Sequence, residues 1–264
     1  MTATLTRVAY QGSVLAIYVF LLAPLVFVIA VSINGGAVPS FPPTDPSLRW
    51  YWSALTQQSF VDGMVTSAWL ALASTAVATP IGIAAALGIY RGRFRGKEIL
   101  ESLFLAPLIV PGIVIGIALL AAFVAVDLRD APLRLLAAHV VLVLPYSIRT
   151  VLASLARIDL SLEEAAMTLG ATRWSAFRLV ILPLMRPGIV AGMVFAAILS
   201  FDDIAVALFL VDAKSTTLPV AILSYLQYSF DPSIAALSSM LIIGTLTIAV
   251  VLERVFGLKS LLGG

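Results

Sequence analysis

Two adjacent carboxylates, Asp202 and Asp203, stand inside a long apolar stretch that runs from Pro187 to Val211. Acids in such surroundings are costly, usually face a bundle interior or water, and by default mark a path for ions or polar solutes. Two carboxylates suit a cationic solute. Phe201, Tyr225 and Tyr228 supply aromatic faces on which an alkylammonium can stack. The same three residues serve equally well as packing groups. Neighbouring helical positions point about 100° apart, so the two acids need not share a face. Counted from Pro187, Asp202 lies about 22 Å along a helix axis, in the outer part of a hydrocarbon core about 30 Å thick. A hydrated helix end, or pairing with a base elsewhere, accounts for the acids as well.

Other chemistry has little material. Cysteine is absent and His139 is the single histidine, which argues against a zinc or other metal site and against a His-based catalytic relay. A nucleotide-binding P-loop needs G-x-x-x-x-G-K-[ST]. Gly96-Lys97 is the nearest approach, but Arg91 holds the place of the first glycine and Glu98 that of Ser/Thr. No catalytic residue is expected in this chain, and no cofactor bound by it.

The elements that must position the acids follow from hydropathy. The 264 residues are 61% hydrophobic and 11% charged, against roughly 25% charged in soluble domains. A soluble fold of this length would have too few polar groups to cover so much apolar surface, so the class is a polytopic membrane protein embedded in lipid. Net charge is +2, too small to suggest nucleic acid. Apolar runs long enough to span fall at 13–33, 64–90, 103–126, 133–155, 187–211 and 232–252. None shows dominant strand-like alternation, so the expectation is an all-α bundle of six transmembrane helices. Pro24, Pro80, Pro107, Pro111 and Pro145 lie inside spans and are expected to kink them. Small residues, as in Gly82 to Gly88 and Gly112 to Gly116, let backbones approach closely.

Basic residues in short loops set orientation. Arg7, the run Arg91, Arg93, Arg95 and Lys97, then Arg157, Arg173, Arg178 and Arg186, then Arg254 and Lys259 fall on one side. Arg49, Arg129, Arg134 and Lys214 fall on the other. The imbalance places 1–12 and the tail 253–264 in the cytoplasm and the loop 34–63 outside. The first apolar run is longer than a signal h-region and no small-x-small cleavage site follows it, so it reads as an uncleaved helix. In the outer loop, Pro39, Pro42, Pro43 and Pro46 favour extended backbone. Arg49-Trp50-Tyr51-Trp52 then reads as an interfacial anchor or as a docking point for an external partner.

The segment 157–186 is too patterned for a plain connection. Ser161 with Glu164 forms a capping-box pattern. Leu162, Ala165, Ala166 and Leu169 follow one helix face, and Gly170 supplies a stop. Thr172 can cap a second helix through Arg173, Trp174, Phe177 and Arg178, which Pro183 and Pro187 are expected to end. A smooth face of alanine flanked by leucine suits a groove on another protein, or an amphipathic helix lying on a membrane surface. The pattern leaves both open.

Glu164-Ala165-Ala166, Gly170, Val180 and Leu182-Pro183 resemble the EAA motif of binding-protein-dependent ABC permeases, read as E-A-A, three residues, G, nine residues, I, one residue, L-P. The spacing matches throughout, with Val180 in place of isoleucine. The resemblance implies that residues 65–255 form a type-1 importer transmembrane domain in a bacterial inner membrane, the first span being an added helix. It implies that Glu164, Ala165, Ala166 and Gly170 couple the chain to a cytoplasmic ATPase dimer that uses ATP and Mg. It also implies a second permease subunit, completing a heterodimer, and an external or periplasmic substrate-binding protein. Ser200-Phe201-Asp202-Asp203, Thr217-Leu218-Pro219 and the stretch from Tyr225 to Pro232 are similar to segments of spermidine/putrescine permeases of the C type, which implies a polyamine or related organic cation. Related permeases carry 4-aminobutyrate, opines, phosphonates or iron. A secondary transporter using Asp202 or Asp203 is a rival, but the short chain has no clear inverted repeat and would leave the 157–186 segment without a task.

Overall fold

A computed structural model of the chain describes residues 2–159, 161–229 and 231–256. Lys259 and most of the anticipated tail lie outside the described residues. In chain order the helices are α1 (Thr2–Ser32), α2 (Arg49–Thr56), α3 (Gln58–Arg91), α4 (Lys97–Leu105), α5 (Gly112–Ala125), α6 (Ala131–Leu155), α7 (Ser161–Thr168), α8 (Arg173–Ala176), α9 (Leu182–Asp202), α10 (Leu218–Tyr228) and α11 (Ser233–Phe256). An isolated bridge between Asn34 and Pro46 is the extended pairing among the described residues. Five helical stretches are long and apolar enough to cross a membrane, and six if one bent pair counts as a single span. The all-α polytopic class is therefore observed.

The chain divides into two compact units, Met1–Val61 with Ile222–Gly264, and Asp62–Ala221. In the first, α1 and α2 both pack on α11. Tyr51 supplies the polar joint, its hydroxyl lying 2.7 Å from Ser32 Oγ and 2.9 Å from Ser239 Oγ. Trp50 Nε1 donates to Gly36 O (3.2 Å) and Arg49 stacks over the Trp50 ring. Only Trp52 of that aromatic run stands fully free, so the run divides its work between joining helices and facing the surroundings. Much of α1 is apolar and exposed, including Leu15, Phe20 and Val26, as expected of a surface whose solvent is lipid.

In the second unit the anticipated span at 103–126 is broken, not kinked. A bend of 106° separates 97–108 from α5. Pro107 lies in a 3₁₀ turn at Ala106–Leu108, and Pro111 caps α5 with extended backbone at φ −55° and ψ 134°. Two missing N–H groups four residues apart leave too few helical bonds to hold a continuous rod. At 14 residues, α5 is about 21 Å long, short of a bilayer core by itself. By contrast, Pro24, Pro80 and Pro145 sit inside unbroken helices.

The span read as 187–211 also has different bounds. Helical structure begins at Arg173 and continues to Asp202, through a π-type turn at Phe177–Ile181. Pro183 and Pro187 do not end the second short helix. Pro183 follows the π-type turn within this continuous stretch, and the wider turn before it accommodates the carbonyl that a proline ring displaces. After Asp202 the chain leaves the helix and makes a 3₁₀ turn at Ala207–Phe209.

The helix pair α6 and α9 forms the centre of this unit. Gly188, Gly192, Ala196 and Ser200 recur every fourth residue on α9, and all four are buried. A Cβ at Gly188 would lie 2.5 Å from Thr150 O, and one at Gly192 would lie 2.5 Å from Thr150 Oγ1. On α3, a Cβ at Gly82 would meet Ser147 Cβ at 2.6 Å. Three backbones thus meet through small residues, the packing mode available when lipid removes any hydrophobic drive between helices. Gly192→Leu is expected to cost at least about 1–3 kcal/mol through overpacking and to lower the melting temperature of the purified protein. Gly244→Leu, at a position with open space around it, serves as control. Equal melting of the two variants would refute this seam.

Candidate functional site

The segment 157–186 is built as a helix, a stop and a second helix. The α7 start is held by Asp159, whose Oδ1 accepts from Ser161 N–H at 2.9 Å. In place of the capping-box pairing of Ser161 with Glu164, the Asp159 carboxylate takes the free Ser161 N–H from outside the helix. Bonds from the Ser161 N–H and hydroxyl hold the Asp159 carboxyl below the usual carboxylate range. Gly170 ends α7 at φ +93°, with Ala171 N–H donating to Ala166 O and Gly170 N–H to Met167 O, both at 3.0 Å. This left-handed closure explains why glycine stands there. Thr172 caps α8 by accepting from Ser175 N–H at 3.2 Å.

Burial divides the two faces of α7. Glu164 and Ala165 are exposed, Ala166 is half-buried, and Leu162 and Leu169 stand free. Glu163, one position earlier, is buried and meets Arg91 Nη2 through Oε2 at 2.6 Å. The end of the segment is fixed in the core instead. Ile181 and Met185 pack with Ala86 and Ile89 of α3 and with Ile148, Val151 and Leu155 of α6, with Phe177 and Val180 against them. The motif thus has an exposed front and an anchored rear. Glu163 and its partner escaped sequence reasoning because 72 positions separate them.

The two neighbouring aspartates are also unlike each other. Asp202 is the last residue of α9 and is exposed. Asp203 turns back, and its Oδ2 accepts from Val206 N–H (3.2 Å) and Ala207 N–H (2.9 Å). It therefore caps the turn that follows, which packs against Gly112 and Gly116 of α5. Among the described residues neither acid forms an ion pair with Lys or Arg. Both line an open pocket of about 260 Å³ with Leu142, Tyr146, Leu199, Ile204 and Ala205. Tyr146, not Phe201, is the aromatic residue of that pocket, and no motif marked it. Its position on α6 is aligned with the acids only by the α6–α9 packing. Tyr225 and Tyr228 belong to the other unit. There Tyr225 donates to Asp231 Oδ2 (2.7 Å) and packs on Phe60, while Tyr228 is exposed.

Behind the pocket lies a buried polar set. Ser200 Oγ is 2.8 Å from His139 Nδ1 and 3.0 Å from Ser74 Oγ. His139 Nε2 is 3.8 Å from Asp203 Oδ2, beyond hydrogen-bond range. These residue types mimic a Ser-His-Asp relay, but Ser200 is sealed from solvent and its hydroxyl is shared with two neighbours. A nucleophile needs access to its substrate and a base held in turn by its acid. The set instead joins α3, α6 and α9 through the two hydrogen bonds of Ser200 Oγ, with His139 Nε2 left without a hydrogen-bond partner among the described residues.

Comparison with known proteins agrees with this architecture. The family described as "Binding-protein-dependent transport system inner membrane component" matches residues 78–258. The chain is 30% identical to the spermidine/putrescine transport system permease protein PotC of Escherichia coli (strain K12) over 92% of both chains. It is 32% identical to the putrescine transport system permease protein PotI of the same organism over 85% of this chain and 82% of that one. A crystal structure of a bacterial ABC transporter that imports the acidic polysaccharide alginate contains a chain of the same fold, at TM-score 0.75 and 16% identity, covering 96% of this chain and 97% of the other. With the family matched over well more than half its length and the EAA segment in place, the chain belongs to the inner-membrane permease components of binding-protein-dependent ABC importers.

Proposed function

We propose that this permease carries a polyamine or a related small organic cation, driven by a separate ABC ATPase dimer that docks on the front of α7. The observation that carries the reading is the division of the 157–186 segment. Glu164 and Ala165 stand exposed, while Ile181 and Met185 are packed among α3 and α6. A docked partner gripping the front would move the rear, and with it the continuous helix to Asp202. ATP and Mg act in the partner, since Gly96-Lys97 lacks the residues of a phosphate-binding loop. A second permease subunit forms a heterodimer with this chain, and an external binding protein delivers the solute. The excess of Arg and Lys on one set of loops supports cytoplasmic termini.

The substrate class is supported by the names of the relatives and by the pocket beside α9. An exposed carboxylate, Asp202, and the ring of Tyr146 line one opening, and these groups attract an ammonium by charge and by cation–π contact.

In reconstituted vesicles holding the complete importer, Asp202→Asn is expected to lower spermidine and putrescine uptake by about tenfold or more, the scale of one charged hydrogen bond. Its melting temperature should stay near that of the parent. Asp203→Ala, which removes a cap, should instead cost about 0.5–2 kcal/mol of stability. Unchanged polyamine uptake in the Asp202 variant, or an unstable Asp202 variant beside a stable Asp203 one, would reverse these roles. For docking, Glu164→Lys should reduce ATPase affinity by about tenfold, as expected for one interface side chain, measured by co-purification and titration. Full retention of the ATPase would remove α7 from the interface.

A further inference from the structure

The Glu163–Arg91 ion pair has no part in the reading above, although it is the shortest charged contact among the described residues. Its placement is unusual for its chemistry. Glu163 and Glu164 adjoin on one short helix, so their side chains diverge by about 100°. Glu164 remains in solvent, whereas the Glu163 side chain is 10% exposed. A carboxylate is not withdrawn from water unless a partner compensates it. Arg91 does so at 2.6 Å, a charge-assisted bond. Arg91 keeps 34% of its side chain exposed, and Arg93 and Arg95, exposed in the same basic run, are unpaired with any described acid.

Both charges also sit where helix dipoles favour them. Arg91 is the last residue of the 34-residue α3, and Glu163 lies in the first turn of α7. A cation at a C-terminus and an anion at an N-terminus are each favourable. The pair therefore ties the end of a long helix to the start of the exposed docking helix. The rear of the segment reaches the same part of α3 by other means, through Ile181 and Met185 packed with Ala86 and Ile89. The last turns of α3 are held at two points, one ionic and one apolar. The ion pair holds α7, the apolar contact holds the start of α9, and α7 packs against the intervening turn at Phe177–Ile181.

We propose that Glu163 and Arg91 form a positioning strut that holds α7 at a set angle to α3, so that movement of a docked ATPase reaches α3 as well as α9. This rests on the docking reading of α7 given above. The strut assigns neighbouring glutamates separate tasks: Glu164 faces the partner, and Glu163 faces the permease.

The test uses the complete importer in proteoliposomes with its ATPase, second permease and binding protein. Glu163→Gln and Arg91→Gln are each expected to retain the ATPase on co-purification. Each should reduce spermidine or putrescine taken up per ATP hydrolysed by about 2- to 30-fold, the range for residues that carry coupling between sites. The exchanged pair Arg91→Glu with Glu163→Arg should recover most of that ratio. Single variants with the parental ratio would overturn the strut, as would a stable exchanged pair that recovers nothing. If the exchanged pair fails to assemble, Arg91→Lys decides. A ratio near the parent supports the strut, and one as low as Arg91→Gln overturns it. Loss of the ATPase from the Glu163 variant would make Glu163 a docking residue and overturn the proposal. Failure of the docking reading looks different, since it shows as an ATPase still bound to Glu164→Lys.

Discussion

The close approach of α6 and α9 is the constraint on which the second unit depends. In lipid, helices gain nothing from hiding apolar surface from each other, so contact must come from packing and from a few polar bonds. Gly188, Gly192, Ala196 and Ser200 remove side-chain bulk along one line of α9. Ser147, Thr150 and Ser154 of α6 fill the space so made, and Ser154 Oγ accepts from Gly188 N–H at 3.1 Å. The buried set of Ser74, His139 and Ser200 adds α3 near the far end of the same line.

Function follows from what this seam makes continuous. The rear of the 157–186 segment joins α9 without a break, because a π-type turn carries the helix past Pro183. At its other end α9 stops at Asp202, beside the pocket that also receives Tyr146 from α6. The continuous helix thus runs from Arg173, just after the Gly170 stop, to the acid at the pocket. Breaks occur where rigidity is not needed. The bend between α4 and α5 frees Gly112 and Gly116 to seat the turn capped by Asp203.

Much of this was legible in the chain itself. Apolar length announced a helical bundle, and helix-end residues announced the glycine stop and the Thr172 cap of the 157–186 segment. Those features are local, depending on dihedral preference and on bonds within a few residues. Other readings failed for reasons that are equally physical. Single prolines left α1, α3 and α6 intact, while Pro107 and Pro111 together broke a span, because two lost donors in adjacent turns exceed what neighbouring bonds can hold. Asp159 displaced Ser161 as the cap of α7 because its carboxylate takes the Ser161 N–H from outside the helix.

What the sequence determined alone was composition-driven and local: a helical membrane protein, a two-helix segment with a glycine stop, and a pair of acids at the end of an apolar run. What only the tertiary structure decided was direction. It turned Glu163 inward to Arg91 and left Glu164 outside; it made Asp203 a turn cap and left Asp202 exposed, both at the pocket; and it brought Tyr146 beside the acids in place of Phe201. Adjacent residues on a helix look about 100° apart whatever their identity. Which of them meets a partner depends on the helix packed beside it, here one contributed from many residues away.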